Sequence, residues 1–193
     1  IEAVGANAGP FRPGDEVFGT CRGSFAEYAV ARTDRLAAKP DNVSFEAGAA
    51  LLMNYLTVDF ALVRRADLQP GQTVLVHGAA GGIGVATIQL AKVMGARVIA
   101  VVSTDEKGDV ARKAGADEVA LVDGFLASVK ALGGADVVMD PVGGDRFTDS
   151  LRCLKPEGKL LVVGFTGGSI PEVKVNRLLL NNISVTGVGR WRS

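Results

Sequence analysis

Between residues 73 and 187, short apolar runs alternate with stretches of helical periodicity. Strands are predicted at 73–77, 97–102, 118–121, 135–139 and 159–164, with a last one near 183–187. Helices are predicted between them at 82–94, 105–114, 124–132 and 145–154. Parallel strands need crossovers, and continuous Val-rich strands need cover on both faces. This order therefore predicts an α/β fold with a doubly wound parallel sheet.

The chain before this region has a different pattern. Up to about residue 40, short apolar runs are cut by turn residues, as in Glu16–Gly19 and the near-alternating Ser24–Val30, which is typical of short antiparallel strands. From Ser44, a candidate N-cap, apolar residues recur at helical spacing toward Asp67. We therefore expect a β domain over 1–45, a bridging helix over 46–69 and an α/β domain over 70–193.

The first strand of the α/β region runs into a glycine turn and then an apolar helix. On the G-x-G-x-x-G spacing, Gly81 and Gly84 hold the second and third glycine places, while Ala79 stands at the first. Backbone amides at a helix N-terminus bind phosphates when side chains leave them room. The predicted residues of a dinucleotide phosphate site are Ala80, Gly81, Gly82 and Ile83. The alternative is a structural turn that binds nothing.

The end of the second α/β strand indicates which dinucleotide binds. An NAD site normally carries Asp or Glu about 20 residues beyond the glycine loop, but Ser103 holds that place here. A serine hydroxyl can donate to a 2′-phosphate that a carboxylate would repel, and Lys107 adds positive charge. Asp105 and Glu106 suit the start of the next helix, where acids favour the dipole. We therefore predict NADPH.

Composition excludes several classes of partner. The 21 basic and 21 acidic residues among 193 give no charge footprint for nucleic acid. We find no apolar run of bilayer length and no signal-peptide pattern at the start of the chain, so we expect no membrane partner and a cytoplasmic location. Cys21, Cys153 and His77, the only histidine, lack metal-ligand spacing, so no metal site is predicted.

Other enzyme classes lack their motifs. The Tyr-x-x-x-Lys pair of short-chain dehydrogenases is missing. Four residues after Tyr28 the chain has Arg32, and four residues after Tyr55 it has Asp59. Neither G-x-S-x-G, H-E-x-x-H nor the P-loop motif occurs. The sequence therefore predicts neither a hydrolase nor a nucleoside triphosphatase.

Seven short motifs occur in an order that is more specific than any one of them. They are Pro13–Val17, Gly23–Tyr28, Asn54–Thr57, His77–Gly84, Ala114–Asp117, Asp140–Gly144 and Gly164–Phe165. Together they resemble the zinc-independent quinone oxidoreductase branch of the medium-chain dehydrogenase/reductase superfamily, the ζ-crystallin-like enzymes. The resemblance implies a GroES-like catalytic domain, here partial, followed by a Rossmann domain. It also implies further residues at both ends, so we expect a fragment whose catalytic residues lie elsewhere.

The resemblance implies further cofactor contacts. Thr57 would lie near the nicotinamide ribose and phosphate, although a helical threonine also bonds its own preceding carbonyl. Val142, Gly143, Gly164 and Phe165 follow the fourth and fifth strands of the α/β region, at the sheet edge where ligands bind. Backbone groups there would bond the ribose and carboxamide. Ordinary turns are the alternative.

The implied activity is hydride transfer from the nicotinamide to a quinone or an α,β-unsaturated carbonyl. The alternative from another class is a non-catalytic NADPH-binding or sensing protein. Enzymes of this type dimerise through the last Rossmann strand, which here is Ile183–Thr186, an apolar edge. A homodimer is therefore expected.

Overall fold

The computed structural model describes residues 1–189 as two compact units, Ile1–Met53 and a second that begins at Asn54. In the first unit, β1 (Val17–Gly19) pairs antiparallel with β2 (Leu36–Ala38). The predicted boundaries at 45/46 and 69/70 stay predictions, and the last four residues of the predicted third segment lie outside the described residues.

The strand predicted at Ser24–Val30 is wrong. This segment forms bends and irregular backbone, and Phe25, Tyr28 and Val30 are all exposed. Alternating polarity makes a strand only where a neighbouring strand accepts its backbone hydrogen bonds. Within residues 1–53, the structure shows only the pairing of β1 with β2.

The bridging helix is present as α1 (Phe45–Asp59), which continues as a π-helical segment, Phe60–Ala66. Ser44 caps it as predicted, since its Oγ accepts the amide of Ala47 at 3.2 Å. The combined helix of 22 residues is long and apolar enough to cross a membrane by length and composition, which corrects our statement on apolar runs. Core helices of globular proteins pass the same test, and Val58, Ala61, Leu62 and Ala66 are buried here. The lack of a membrane partner stays a prediction.

The second unit is built on a six-stranded parallel sheet. Its strands are β3 (Thr73–His77), β4 (Arg97–Val102), β5 (Glu118–Leu121), β6 (Ala135–Asp140), β7 (Leu154–Val162) and β8 (Ser184–Gly187). Its helices are α2 (Gly82–Val93), α3 (Asp105–Ala114), α4 (Phe125–Ala131), α5 (Phe147–Cys153) and α6 (Asn176–Asn181). The strand order β5-β4-β3-β6-β7-β8 is that of the Rossmann fold. The predicted fold class is thereby confirmed for this unit.

Most predicted bounds in this unit agree with the structure to within two residues, and two features differ more. Strand β7 begins at Leu154 rather than 159, because Leu154 pairs with Ala135 before the register shifts and resumes with Lys159 opposite Val137. The intervening Lys-Pro-Glu-Gly run has the composition of a turn, and it belongs to the strand only because the residues on either side of it pair with β6. Helix α6 was not predicted, and it has no buried residues that would produce a helical pattern.

The sheet carries an apolar core on each face. Val74 and Val76 of β3 belong to one cluster, while Leu75 belongs to the other. Strand β3 is buried along its whole length. Since Leu75 lies opposite Val138 and side chains alternate, His77 and Asp140 end their neighbouring strands on the same face.

Candidate functional site

A cleft of about 560 Å³ opens at the carboxyl ends of the central strands β3, β4 and β6. This edge is where the strand order reverses, which is the usual ligand position in such sheets. The glycine loop forms one wall, and the loops after β6 and β7 contribute Val142 and Thr166. The predicted residues that line the cleft are Ala80, Gly81, Gly82, Ile83, Ser103, Lys107 and Val142.

The start of α2 leaves backbone donors at the cleft. The first bond of this helix runs from the Val85 amide to the Gly81 carbonyl at 2.8 Å, so the amides of Gly82, Ile83 and Gly84 have no acceptor inside the helix. Gly81 donates its own amide to Gly78 at 2.9 Å and thereby closes the turn. The loop therefore offers donors at the positive end of a helix dipole.

Two glycines permit this shape by close approach. A Cβ added at Gly84 would lie 2.3 Å from the Gly78 carbonyl oxygen, so only glycine lets the helix pack against the turn. A Cβ added at Gly82 would lie 2.8 Å from Nδ2 of Asn54, on α1. The loop is a cradle that side chains would fill, which fits a bound diphosphate.

Ser103 and Lys107 form a polar pair on the opposite side of the cleft from the loops after β6 and β7. Lys107 Nζ donates to Ser103 Oγ at 2.9 Å, which leaves the hydroxyl proton free to donate elsewhere. Thr104 caps α3 by accepting the Lys107 amide at 3.4 Å, and Asp105 and Glu106 occupy the first turn of that helix. The two acids therefore lie where the dipole favours them, as predicted.

The loop after β6 is held by a carboxylate. Asp140 Oδ1 accepts the amides of both Val142 and Gly143, each at 2.9 Å. The predicted role of these amides in binding a ribose or carboxamide is untested, but both already have an acceptor within the chain. Asp140 belongs to the Asp140–Gly144 motif, but the sequence predicted no role for its side chain.

The remaining predicted residues do not line this cleft in the described structure. They are Thr57 on α1, Gly143, and the pair Gly164 and Phe165 after β7. Their cofactor contacts stay predictions. The prediction from sequence also missed several apolar residues that line the cleft, among them Val110 on α3 and Val122 after β5. The available signals were that Val110 lies one helical turn after Lys107 on α3 and that Val122 follows the carboxyl end of β5.

His77, at the end of β3, is a buried group with a lowered pKa. The Ser150 hydroxyl donates to the Arg146 carbonyl at 3.0 Å, so His77 Nε2–H is the donor in its 2.8 Å bond to Ser150 Oγ. Burial lowers the pKa of His77 to about 4, with Asp140 opposing and Arg146 assisting the shift. The ring also packs edge-on against Phe125, with centroids 5.0 Å apart.

Metal-ligating side chains do not cluster in residues 1–189: no group of three or more His, Cys, Asp or Glu residues could hold an ion. Burial raises the pKa of the Cys153 thiol to about 12, so this sulfur is protonated at neutral pH. Zinc independence stays a prediction.

Comparison with known proteins identifies relatives across the chain. The family model described as zinc-binding dehydrogenase matches residues 82–192. Quinone oxidoreductase-like protein 2 of Bos taurus is 42% identical over 98% of this chain and 57% of its own length. The chain thus spans less than two thirds of this relative.

Solved structures agree with this match. A mycobacterial protein complexed with NADPH superposes with a TM-score of 0.85 at 34% identity, over 95% of this chain and 59% of that one. Escherichia coli quinone oxidoreductase, also complexed with NADPH, gives a TM-score of 0.81 at 29% identity, over 96% of this chain and 60% of that one.

Proposed function

Because the chain belongs to the zinc-binding dehydrogenase family, within the quinone oxidoreductase branch of the medium-chain dehydrogenase/reductase superfamily, we propose that it binds NADPH for hydride transfer to a quinone or enone. The observation that carries the proposal is one cleft holding both the open glycine loop and the Ser103–Lys107 pair. The diphosphate of NADPH would thereby meet the backbone amides of the glycine loop, and its 2′-phosphate would meet Ser103 and Lys107.

The glycine loop would hold the diphosphate. The amides of Gly82, Ile83 and Gly84 point from the first turn of α2, where no helical acceptor competes for them. Backbone donors suit this task because they bring no side-chain bulk between the phosphate and the dipole.

Ser103 and Lys107 would hold the 2′-phosphate that distinguishes NADPH from NADH. The lysine keeps two protons beyond the one donated to Ser103, and the hydroxyl keeps its own. Charge-assisted bonds from both groups would favour a dianion over the neutral 2′-hydroxyl of NADH. The apolar side chains of Val110 and Val122 would line the adjacent space.

When bound, NADPH supplies the hydride, and the protein orients it and excludes water. The described residues include none that we assign to proton transfer or to the acceptor oxygen. A quinone or conjugated carbonyl is proposed because the relatives are named quinone oxidoreductases. Zinc independence and a homodimer through β8 belong to the same proposal.

Titration of the purified chain with NADPH and with NADH, followed by nicotinamide fluorescence, tests cofactor choice. We expect tighter binding of NADPH, and Lys107→Ala should weaken NADPH about tenfold while leaving NADH unchanged. Lys113→Ala removes the same charge from the last turn of α3 and serves as the matched control. Equal or tighter binding of NADH by the unaltered chain contradicts the proposal.

A second measurement separates an enzyme from a non-catalytic NADPH-binding protein. Purified protein would be mixed with NADPH and a quinone, and the loss of nicotinamide absorbance would be followed. Quinone-dependent oxidation supports an oxidoreductase. Bound NADPH that no quinone or enone oxidises would support the sensing alternative.

A further inference from the structure

Asp140 is a buried carboxylate that accepts hydrogen bonds from the loop after β6, which forms one wall of the cleft. Its side chain ends β6 and is 1% exposed. One oxygen, Oδ1, accepts the two amides of Val142 and Gly143, while Oδ2 is buried without a hydrogen-bond partner among residues 1–189. Burying an oxygen without a hydrogen-bond partner is costly, so the two amide bonds to Oδ1 are the described interactions that offset the burial of this side chain.

The backbone that Asp140 holds has an unusual shape. Gly143 adopts φ 65° and ψ −142°, a conformation that side-chain-bearing residues rarely reach. A Cβ at this position would lie 2.9 Å from Cδ1 of Phe165. Glycine reaches this conformation without strain, and the two bonds to one carboxylate oxygen hold the turn in this one shape.

This turn determines the position of a neighbouring loop. The Val142 carbonyl accepts the Gly167 amide at 2.9 Å, and the Pro141 carbonyl accepts the amide and hydroxyl of Thr166 at 3.2 and 3.1 Å. Val142 and Thr166 both line the cleft. Movement of the turn after β6 would therefore move the whole wall that faces the glycine loop.

We infer that Asp140 is a positioning residue for the cofactor: by holding the Val142 and Gly143 amides, it sets the wall of the cleft opposite the glycine loop. The inference rests on the proposed NADPH function. It also implies that these two amides serve the protein and are not donors to the cofactor, contrary to the prediction from strand-end position.

Three variants test this role. Asp140→Ala removes the acceptor, and Asp140→Asn keeps an Oδ1 that can accept the same two amides. Asp136→Ala is the matched control, because this carboxylate lies at the other end of β6, bonded to the Thr73 amide at 2.7 Å and Lys155 at 2.8 Å. Each variant is measured for NADPH dissociation constant and for melting temperature.

We expect Asp140→Ala to raise the NADPH dissociation constant about tenfold or more, and Asp140→Asn to restore it to within about threefold of the unaltered chain. Asp136→Ala should lower the melting temperature and leave NADPH affinity within about twofold. The inference is wrong if Asp140→Ala binds NADPH normally, if Asp140→Asn is as weak as Asp140→Ala, or if the control weakens binding equally.

Amide hydrogen exchange provides a test that needs no variant. The Val142 and Gly143 amides should be protected before NADPH is added and gain little when it binds. Fast exchange that NADPH then suppresses would overturn the inference. If the chain binds no NADPH at all, the proposed function fails, while protection of these amides still reports on Asp140.

Discussion

Replacing His77 by leucine should reduce the acid sensitivity of the fold. In the folded chain, burial holds the pKa of His77 at about 4, against an ordinary value of 6.5 in the unfolded chain. Between about pH 6.5 and pH 4, His77 is protonated in the unfolded chain and neutral in the folded chain. Stability is therefore lost as the pH falls from about 6.5 to about 4, and the loss levels off below that.

The size of this effect follows from the two pKa values. Their difference of about 2.5 corresponds to about 3 kcal/mol of unfolding free energy. His77→Leu places an apolar group beside Phe125, and the Ser150 hydroxyl keeps its bond to the Arg146 carbonyl. The variant should thus fold at neutral pH, with a change there set by the lost His77–Ser150 bond.

Urea denaturation of both proteins between pH 7.5 and pH 4, run as about six paired curves, measures the difference. Groups that do not interact with His77 are common to both proteins and cancel, so the comparison reports on His77 together with its neighbours Asp140 and Arg146. The unaltered chain should lose about 3 kcal/mol more than His77→Leu over this range. Parallel pH profiles, or an imidazolium signal from folded His77 at pH 6 by NMR, would refute the reasoning.

Three further predictions concern the cleft and the sheet edge. Gly84→Ala puts a Cβ 2.3 Å from the Gly78 carbonyl oxygen, so it should lower the free energy of unfolding by about 1–3 kcal/mol and weaken NADPH binding. A variant as stable as the unaltered chain would contradict the close packing. Ser103→Asp places a carboxylate beside the proposed 2′-phosphate site, so NADPH should weaken by about tenfold or more while NADH does not, and an unchanged NADPH to NADH ratio in titrations would count against this site. Sedimentation at micromolar concentration should show a dimer, because within residues 1–189 β8 pairs only with β7 and leaves one edge of the sheet open. A strictly monomeric profile would contradict this prediction.

Local patterns predicted much of the second unit. Strands β3 and β4 were predicted with their observed bounds, and so were α3 and β5, because β-branched runs and helical spacing are local signals. The glycine loop was recognisable for the same reason, since Gly82 and Gly84 act through the absence of a side chain. Ser103 and Lys107 lie four residues apart, so a single turn of chain brings them together.

The chain itself thus determined the alternation of strands and helices, the glycine loop and the polar pair at the end of β4, all of which depend on near neighbours. Only the tertiary structure decided that Ser24–Val30 forms no strand, that β7 begins at Leu154, and that Asp140 holds the turn after β6 in place. The physical reason is that hydrogen-bond partners and burial come from packing. A strand needs a neighbour, and a carboxylate binds the amides that the folded backbone brings to it.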